Sequence, residues 1–476
     1  MKTLLGLMLL PLLLMACTQG ADLDQLKASY AQPDQIQDQQ LNPVIWVPGI
    51  LGSSLVQEDG FAAWGGNERL GINPAEPDAA RILAVPFVNM EGPVRAPLDQ
   101  LRSARSLRIV YPKLVGIRLE REIYAAAIRG LEAGGYNFEH ASIAEGVAKG
   151  QPLGFEFAYD WRRDVVESAQ QLAAFIEQKK TAIEAARQAR FGDAAKPVKF
   201  DVVTHSMGAL VVRYYLRYGS ADLPVDAPAP DPTWAGAPNI GTAIYVAPPN
   251  SGSVNSLVAL LDGRDFGPLQ PKFDPVVMGT YISVFQLMPR QRHKTMRLAA
   301  SHEVPDLYDT ATWDRLGLGL MDPSLDPSLQ NLLPDEVDAA ARRARARAHL
   351  ERVLAYTQTF HEALDRPARP PEGLQTVLMM GSGYETPSHL EFDPESGELS
   401  VVGAHKGDRR VLHASSLLDE RQDGNITPHL RSPLGFDAVV TLPEEHLEIV
   451  KSHAFADRVL YWLRKGDAEA KTAALN

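Results

Sequence analysis

The sequence predicts an α/β protein, with a mostly parallel β-sheet flanked by helices and a region inserted as a cap or lid. Three observations carry this reading. From Asn42 onward, short Val/Ile-rich apolar runs alternate with segments of helical spacing. The alternation breaks over residues 254–370 and then resumes. The 476 residues are 45% hydrophobic and 22% charged, a balance that supports a sizeable core and excludes wholesale disorder.

The elements follow in order. Val44–Val47 is a buried-strand run that ends in Pro48-Gly49, and Leu107–Tyr111 reads as a further strand. Ile123, Ala127 and Leu131 give helical spacing to Arg121–Ala133, which stops at Gly134-Gly135. Phe155–Tyr159 is a strand; Val165, Ala169, Leu172, Ile176 and Ile183 then mark one face of a long helix. Val198–Thr204 is a strand, Met207–Tyr218 a buried helix, and Ala243–Ala247 the next strand. Residues 254–370 hold scattered prolines and an Arg/Ala-rich helix at Asp335–Leu364, and read as a cap over the sheet's C-terminal edge. Strands return at Thr376–Met380 and Ala438–Leu442, and a closing helix carries Phe455, Val459 and Trp462 on one face. The core is therefore expected at 42–253 and 371–466.

The N-terminus reads as an address. Met1-Lys2 precedes an apolar run, Leu4–Met15, too short to span a bilayer comfortably, which enters Leu14-Met15-Ala16-Cys17. This resembles a bacterial lipobox, so residues 1–16 are expected to be a signal peptide and Cys17 the lipidated residue. Two or three acyl chains at about 0.8 kcal/mol per buried CH₂ anchor a protein stably. Thr18 stands where inner-membrane lipoproteins carry aspartate, which favours the outer membrane. Residues 18–41, with seven glutamines and no apolar periodicity, read as a solvated tether, a short capping helix being the alternative.

Composition removes other classes. The balance of 47 basic against 59 acidic residues gives a charge of -12, which disfavours a nucleic-acid partner. One cysteine excludes an intrachain disulfide and a cysteine-cluster zinc site. No phosphate-binding loop or metal-ligand spacing is found, so neither cofactor nor metal is expected.

Chemistry concentrates at Thr204-His205-Ser206-Met207-Gly208. A serine between a hydrophobic strand and a buried helix, with glycine two places on, is the nucleophile elbow of an α/β-hydrolase. A serine needs a base to take its proton and an acid to orient that base, in the order Ser, Asp or Glu, His. Asp423, on the turn Asp423-Gly424, and His446, before the closing helix, satisfy that order and bracket Ala438–Leu442. His429 and His453 are rival bases and Asp437 the rival acid. The oxyanion of the tetrahedral intermediate needs N–H donors, assigned to Met207 and to Leu51 in the loop Pro48–Ser53.

Together, Val47-Pro48-Gly49-Ile50-Leu51-Gly52-Ser53, Tyr159-Asp160-Trp161-Arg162, His205-Ser206-Met207-Gly208, Asp423-Gly424 and Glu445-His446-Leu447 resemble the lecithin:cholesterol acyltransferase family, particularly its bacterial members. The tetrapeptide Tyr159–Arg162 is the most discriminating. The resemblance implies a capped α/β-hydrolase acting on acyl esters of lipids, with Ser206 as nucleophile, Asp423 as acid, His446 as base, and Leu51 and Met207 as oxyanion donors. It leaves both hydrolysis and transfer to an alcohol open, with hydrolysis favoured because a transferase must also hold a second substrate. Trp161 is a candidate for the acyl pocket, a core position being the other reading. Arg342, Arg343, Arg345 and Arg347 are candidates for anionic headgroups, against a solvated helix face. A non-catalytic lipid- or ligand-binding lipoprotein on the same scaffold is the alternative function.

Overall fold

In a computed structural model, residues 22–31, 41–66, 71–110, 113–114, 117–118, 120–225, 227–265, 272–419 and 432–473 are described. Six parallel strands form the central sheet: β1 (Val44–Val47), β2 (Gly154–Glu156), β3 (Phe200–His205), β4 (Ile240–Val246), β5 (Gln375–Gly381) and β6 (Ala438–Leu442). Their spatial order is β6-β5-β4-β3-β1-β2. All residues of β1 and β3 are buried, as a sheet covered on both faces requires. The chain steps from β1 outward to β2, crosses back to β3, and then grows in the opposite direction. The order therefore reverses between β1 and β3, and the crevice beyond their carboxyl ends is where such sheets bind ligands.

Helices α1 (Ala125–Ala133), α2 (Val165–Phe191), α3 (Gly208–Tyr218), α4 (Ala339–Asp365) and α5 (His453–Ala473) supply most of the covering layers. α2 starts where Asp164 accepts a hydrogen bond from Val166 N–H, and buries Val165, Ala169, Leu172, Ile176 and Ile183. α3 is buried along its whole length. Each such aliphatic side chain contributes about 1.5–3 kcal/mol on burial.

Several expectations are corrected. Leu107–Val110, the described part of the expected strand Leu107–Tyr111, does not join the central sheet: within it only Ile109–Val110 is extended, pairing antiparallel with Arg121–Glu122. That pairing also delays α1 to Ala125. Part of the expected tether is a docked helix, Leu23–Tyr30. Leu26 is buried, and Tyr30 Oη donates to Asp457 Oδ1 of α5 at 2.8 Å, contacts that local periodicity does not reveal. Residues 1–16 and Cys17 lie outside the described residues. A three-stranded sheet of Met296–Leu298, Tyr384–Phe392 and Leu399–Gly407 was not anticipated. Its first strand comes from the long excursion between β4 and β5, and its last two form a hairpin after β5. Three of the four arginines of the α4 run are ion-paired within the protein: Arg342 meets Asp326 at 2.6 Å, and Arg343 and Arg347 both meet Asp314.

Candidate active site

The turn from β3 into α3 carries Ser206 in a left-handed conformation (φ 53°), its N–H donating to Val246 O at 2.8 Å. A non-glycine residue held there is strained, and strain of this kind is characteristic of a nucleophile elbow. Gly208 is required by close approach: a Cβ there would sit 2.4 Å from Pro48 O. Thr204, at the first position of the elbow pattern, is accommodated inside the sheet, where its hydroxyl donates to Ile244 O at 3.3 Å.

His446 Nε2 lies 2.9 Å from Ser206 Oγ, and His446 Nδ1 lies 2.7 Å from Asp408 Oδ2. A carboxylate only accepts, so Nδ1 carries the hydrogen and Nε2 presents its lone pair to the serine hydroxyl. Asp408 Oδ1 accepts the N–H groups of Arg410 (2.9 Å) and Val411 (2.7 Å), and Asp408 O accepts His446 N–H at 3.0 Å. Burial alone would raise the Asp408 carboxyl. His446 and these donors outweigh it and hold the group below the ordinary carboxylate range.

The carboxylate at the imidazole is thus Asp408, not the expected Asp423, which lies outside the described residues. The Nδ1 site holds a single N–H, and Asp408 occupies it. Asp408 stands at the end of the hairpin that follows β5, over that strand's carboxyl end, where a Cβ on Gly381 would meet Asp408 Cβ at 2.6 Å. The signal for it was an aspartate closing a strand, Lys406-Gly407-Asp408, and the hairpin separating it from β5 hid its register. Among the rivals, Asp437 accepts from Thr376 N–H at the opposite end of the sheet, and His453 Nδ1 accepts from Asp22 N–H. His429 lies outside the described residues.

The loop after β1 faces the elbow. Leu51 has φ 65°, and its carbonyl accepts Trp64 Nε1–H at 2.9 Å. Neither the Leu51 N–H nor the Met207 N–H meets an acceptor among the described residues, so both remain available to an anion. The tetrapeptide Tyr159–Arg162 braces this loop. Tyr159 Oη donates to Pro48 O (2.8 Å), Trp161 Nε1 donates to Ser53 O (3.0 Å), and Arg162 is locked on Asp160 and Asp99. Of the two readings left open for Trp161, the core position holds and the pocket wall does not: it is fully buried, packed edge-on against Trp64 and Tyr281. Trp64 takes the wall position.

Ser206 opens into a cavity of about 360 Å³. Its apolar wall comes from Ile50, Leu51, Trp64, Leu107, Val110, Ile123 and Leu287, with Arg121, Arg264, Arg409 and Arg410 among its polar lining. Among the described residues no group of three or more His, Cys, Asp and Glu side chains is arranged to hold a metal ion, and no helix is long and apolar enough to cross a membrane.

A hydroxyl, an imidazole and a carboxylate in this order can activate the serine as a nucleophile. The chain matches the lecithin:cholesterol acyltransferase family over residues 143–313. That stretch contains the Tyr159–Arg162 tetrapeptide and the Ser206 elbow, and the family resemblance drawn from the motifs stands. No curated protein matches the chain. Among solved structures, a chain from the crystal structure of the Tle4–Tli4 complex is similar at 14% identity, with a TM-score of 0.55 over 90% of this chain and 98% of that one. At that identity the likeness speaks for the fold.

Proposed function

We propose that the protein is a serine esterase that acts on acyl esters of lipids through Ser206, His446 and Asp408. The observation that carries this is the continuous chain from Ser206 Oγ to His446 Nε2 (2.9 Å) and from His446 Nδ1 to Asp408 (2.7 Å) beside a cavity with one apolar wall. Ser206 Oγ attacks the ester carbonyl while His446 takes its proton, and the oxyanion draws on the N–H groups of Leu51 and Met207. His446 returns the proton to the leaving alkoxide, which departs as the alcohol and leaves an acyl-serine. Water, deprotonated by the same imidazole, then releases the fatty acid; an alcohol in its place makes a new ester. In this scheme Asp408 takes the role first assigned to Asp423.

A fluorophosphonate probe tests the reading directly. It is expected to label the protein at Ser206 and not the Ser206→Ala variant, which should lose about 10⁶-fold in kcat. Retained ester cleavage by Ser206→Ala defeats the assignment of the nucleophile, whereas a parent protein that neither takes the probe nor cleaves esters favours the binding-scaffold alternative. Assays on labelled phospholipid, triglyceride and short-chain esters, with and without an alcohol acceptor, measure the acyl donor and the ratio of hydrolysis to transfer.

We further propose that Cys17 carries the lipid and that the protein resides in the bacterial envelope. The lipobox-like run ending at Cys17 supports this. Cys17→Ser should move the protein from the membrane to the soluble fraction; unchanged membrane association rejects the anchor.

A further inference from the structure

His205, next to the nucleophile, plays no part in the proton transfers above, yet it is buried between the two loops that those steps require. Its Nε2 lies 2.8 Å from His446 O, and its Nδ1 lies 3.0 Å from Tyr124 Oη. Tyr124 Oη in turn lies 3.1 Å from Gly49 N, in the loop that carries Leu51. Donor and acceptor roles follow without choice. A carbonyl only accepts, so Nε2 carries the hydrogen and Nδ1 is the acceptor. The Tyr124 hydroxyl must then donate to Nδ1, which leaves its lone pair for Gly49 N–H. The result is one directed chain, Gly49 N–H to Tyr124, Tyr124 O–H to His205, and His205 N–H to His446 O, with every link satisfied. Burial, together with the neighbouring His446, pushes the His205 imidazole down to about 3, so the ring is neutral near pH 7 and its partners set the tautomer. The approach is as close as it can be: a Cβ on Gly49 would lie 2.8 Å from Ser206 Cβ and 3.3 Å from His205 Nδ1.

We infer that His205 is a positioning residue, a neutral imidazole that holds the oxyanion loop and the backbone of the base His446 in register across the nucleophile. The inference rests on the triad reading and adds to it the means by which three loops from distant parts of the chain are kept at reacting distance. Such fixed orientation matters because small displacements of a base or an oxyanion donor cost rate and not binding.

The test uses the full chain and p-nitrophenyl butyrate, with kcat expressed per site titrated by the fluorophosphonate. An asparagine amide can reach the Nδ1 position and a glutamine amide the Nε2 position, so each conservative variant restores one link. We expect His205→Ala to lose about 100-fold in kcat, and His205→Asn, His205→Gln and Tyr124→Phe about tenfold each, with KM within about twofold of the parent. A residue that only packed would show no such graded rescue and would move the melting temperature instead. Parental kcat per titrated site in His205→Ala overturns the inference. Should that variant not fold, Tyr124→Phe, which deletes one hydroxyl, serves alone: unchanged kcat there overturns it equally. The Ser206→Ala control separates the two failures, since activity surviving in that variant defeats the triad itself, whereas its loss beside an unaffected Tyr124→Phe defeats only the role of His205.

Discussion

Two long excursions leave the central sheet, one between β1 and β2 and one between β4 and β5, and they are put to different uses. The first supplies the loop carrying Leu51, the wall residue Trp64 and the hydroxyl of Tyr124, all within reach of Ser206. It is made of short antiparallel pieces such as Ser53–Val56 with Ala62–Trp64 and Arg102–Ser106. The second is mainly helical and is secured by buried cations. Arg290 makes a two-pronged ion pair with Asp365 at the end of α4, and Arg213 of α3 donates to Asn250 Oδ1 and Leu364 O. Only a minority of the cavity wall, Leu287 and Arg264 among it, comes from this second region. An excursion therefore does not become a working lid by being long; what counts is whether it emerges at the switch point between β1 and β3.

The largest effect that bears on this comparison is at the acid, which belongs to neither excursion. Asp408→Asn should lower kcat about 10⁴-fold by allowing the wrong tautomer of His446, while Asp423→Asn should change it less than about tenfold; kinetics of both variants decide, and the reverse ranking returns the acid to Asp423. Next comes the second excursion. Arg290→Met leaves Asp365 with only the partly exposed Arg292 and should cost about 3 kcal/mol in denaturant unfolding, with kcat per titrated site unchanged. A kcat loss there would break the division of labour.

The two excursions meet at His349, whose Nδ1 accepts Val88 N–H and whose Nε2 donates to Gly279 O. Burial pushes this imidazole down from 6.5 to about 4. Between those values the unfolded chain binds a proton that the folded chain excludes, so stability is present above the unfolded value and declines as pH falls. The loss should reach on the order of 3 kcal/mol by pH 4. Melting temperatures across that window should fall as pH is lowered, and His349→Gln should show a shallower fall; an identical slope against pH rejects the assignment. The smallest effect sharpens the role of the first excursion: Trp64→Phe removes the N–H held by Leu51 O and should lower kcat about tenfold while costing about 1 kcal/mol of stability. A change in stability alone would make Trp64 a core residue like Trp161.

Most central strands were legible because each is short, apolar and buried on both faces, and β6 was read to the residue. The elbow was legible because strand, serine, glycine and buried helix are contiguous. Asp408 was not, because a nine-residue strand pair intervenes between it and β5, and local pattern does not tell a hairpin tip from a return to the sheet. The wall residue was not legible for a similar reason: Trp64 and Trp161 touch edge to edge, and only packing distinguishes which of the two faces the cavity.

What the amino-acid order determined by itself was local: where strands start, where the chain must turn sharply, and that a serine stands on one such turn with a histidine before the last helix. Which carboxylate reaches that histidine, which tryptophan lines the cavity and which excursion serves the site were decided only by the tertiary structure. These choices depend on pairs of residues far apart in the chain, whose separation is set by sheet order and close packing and leaves no periodic trace along the sequence.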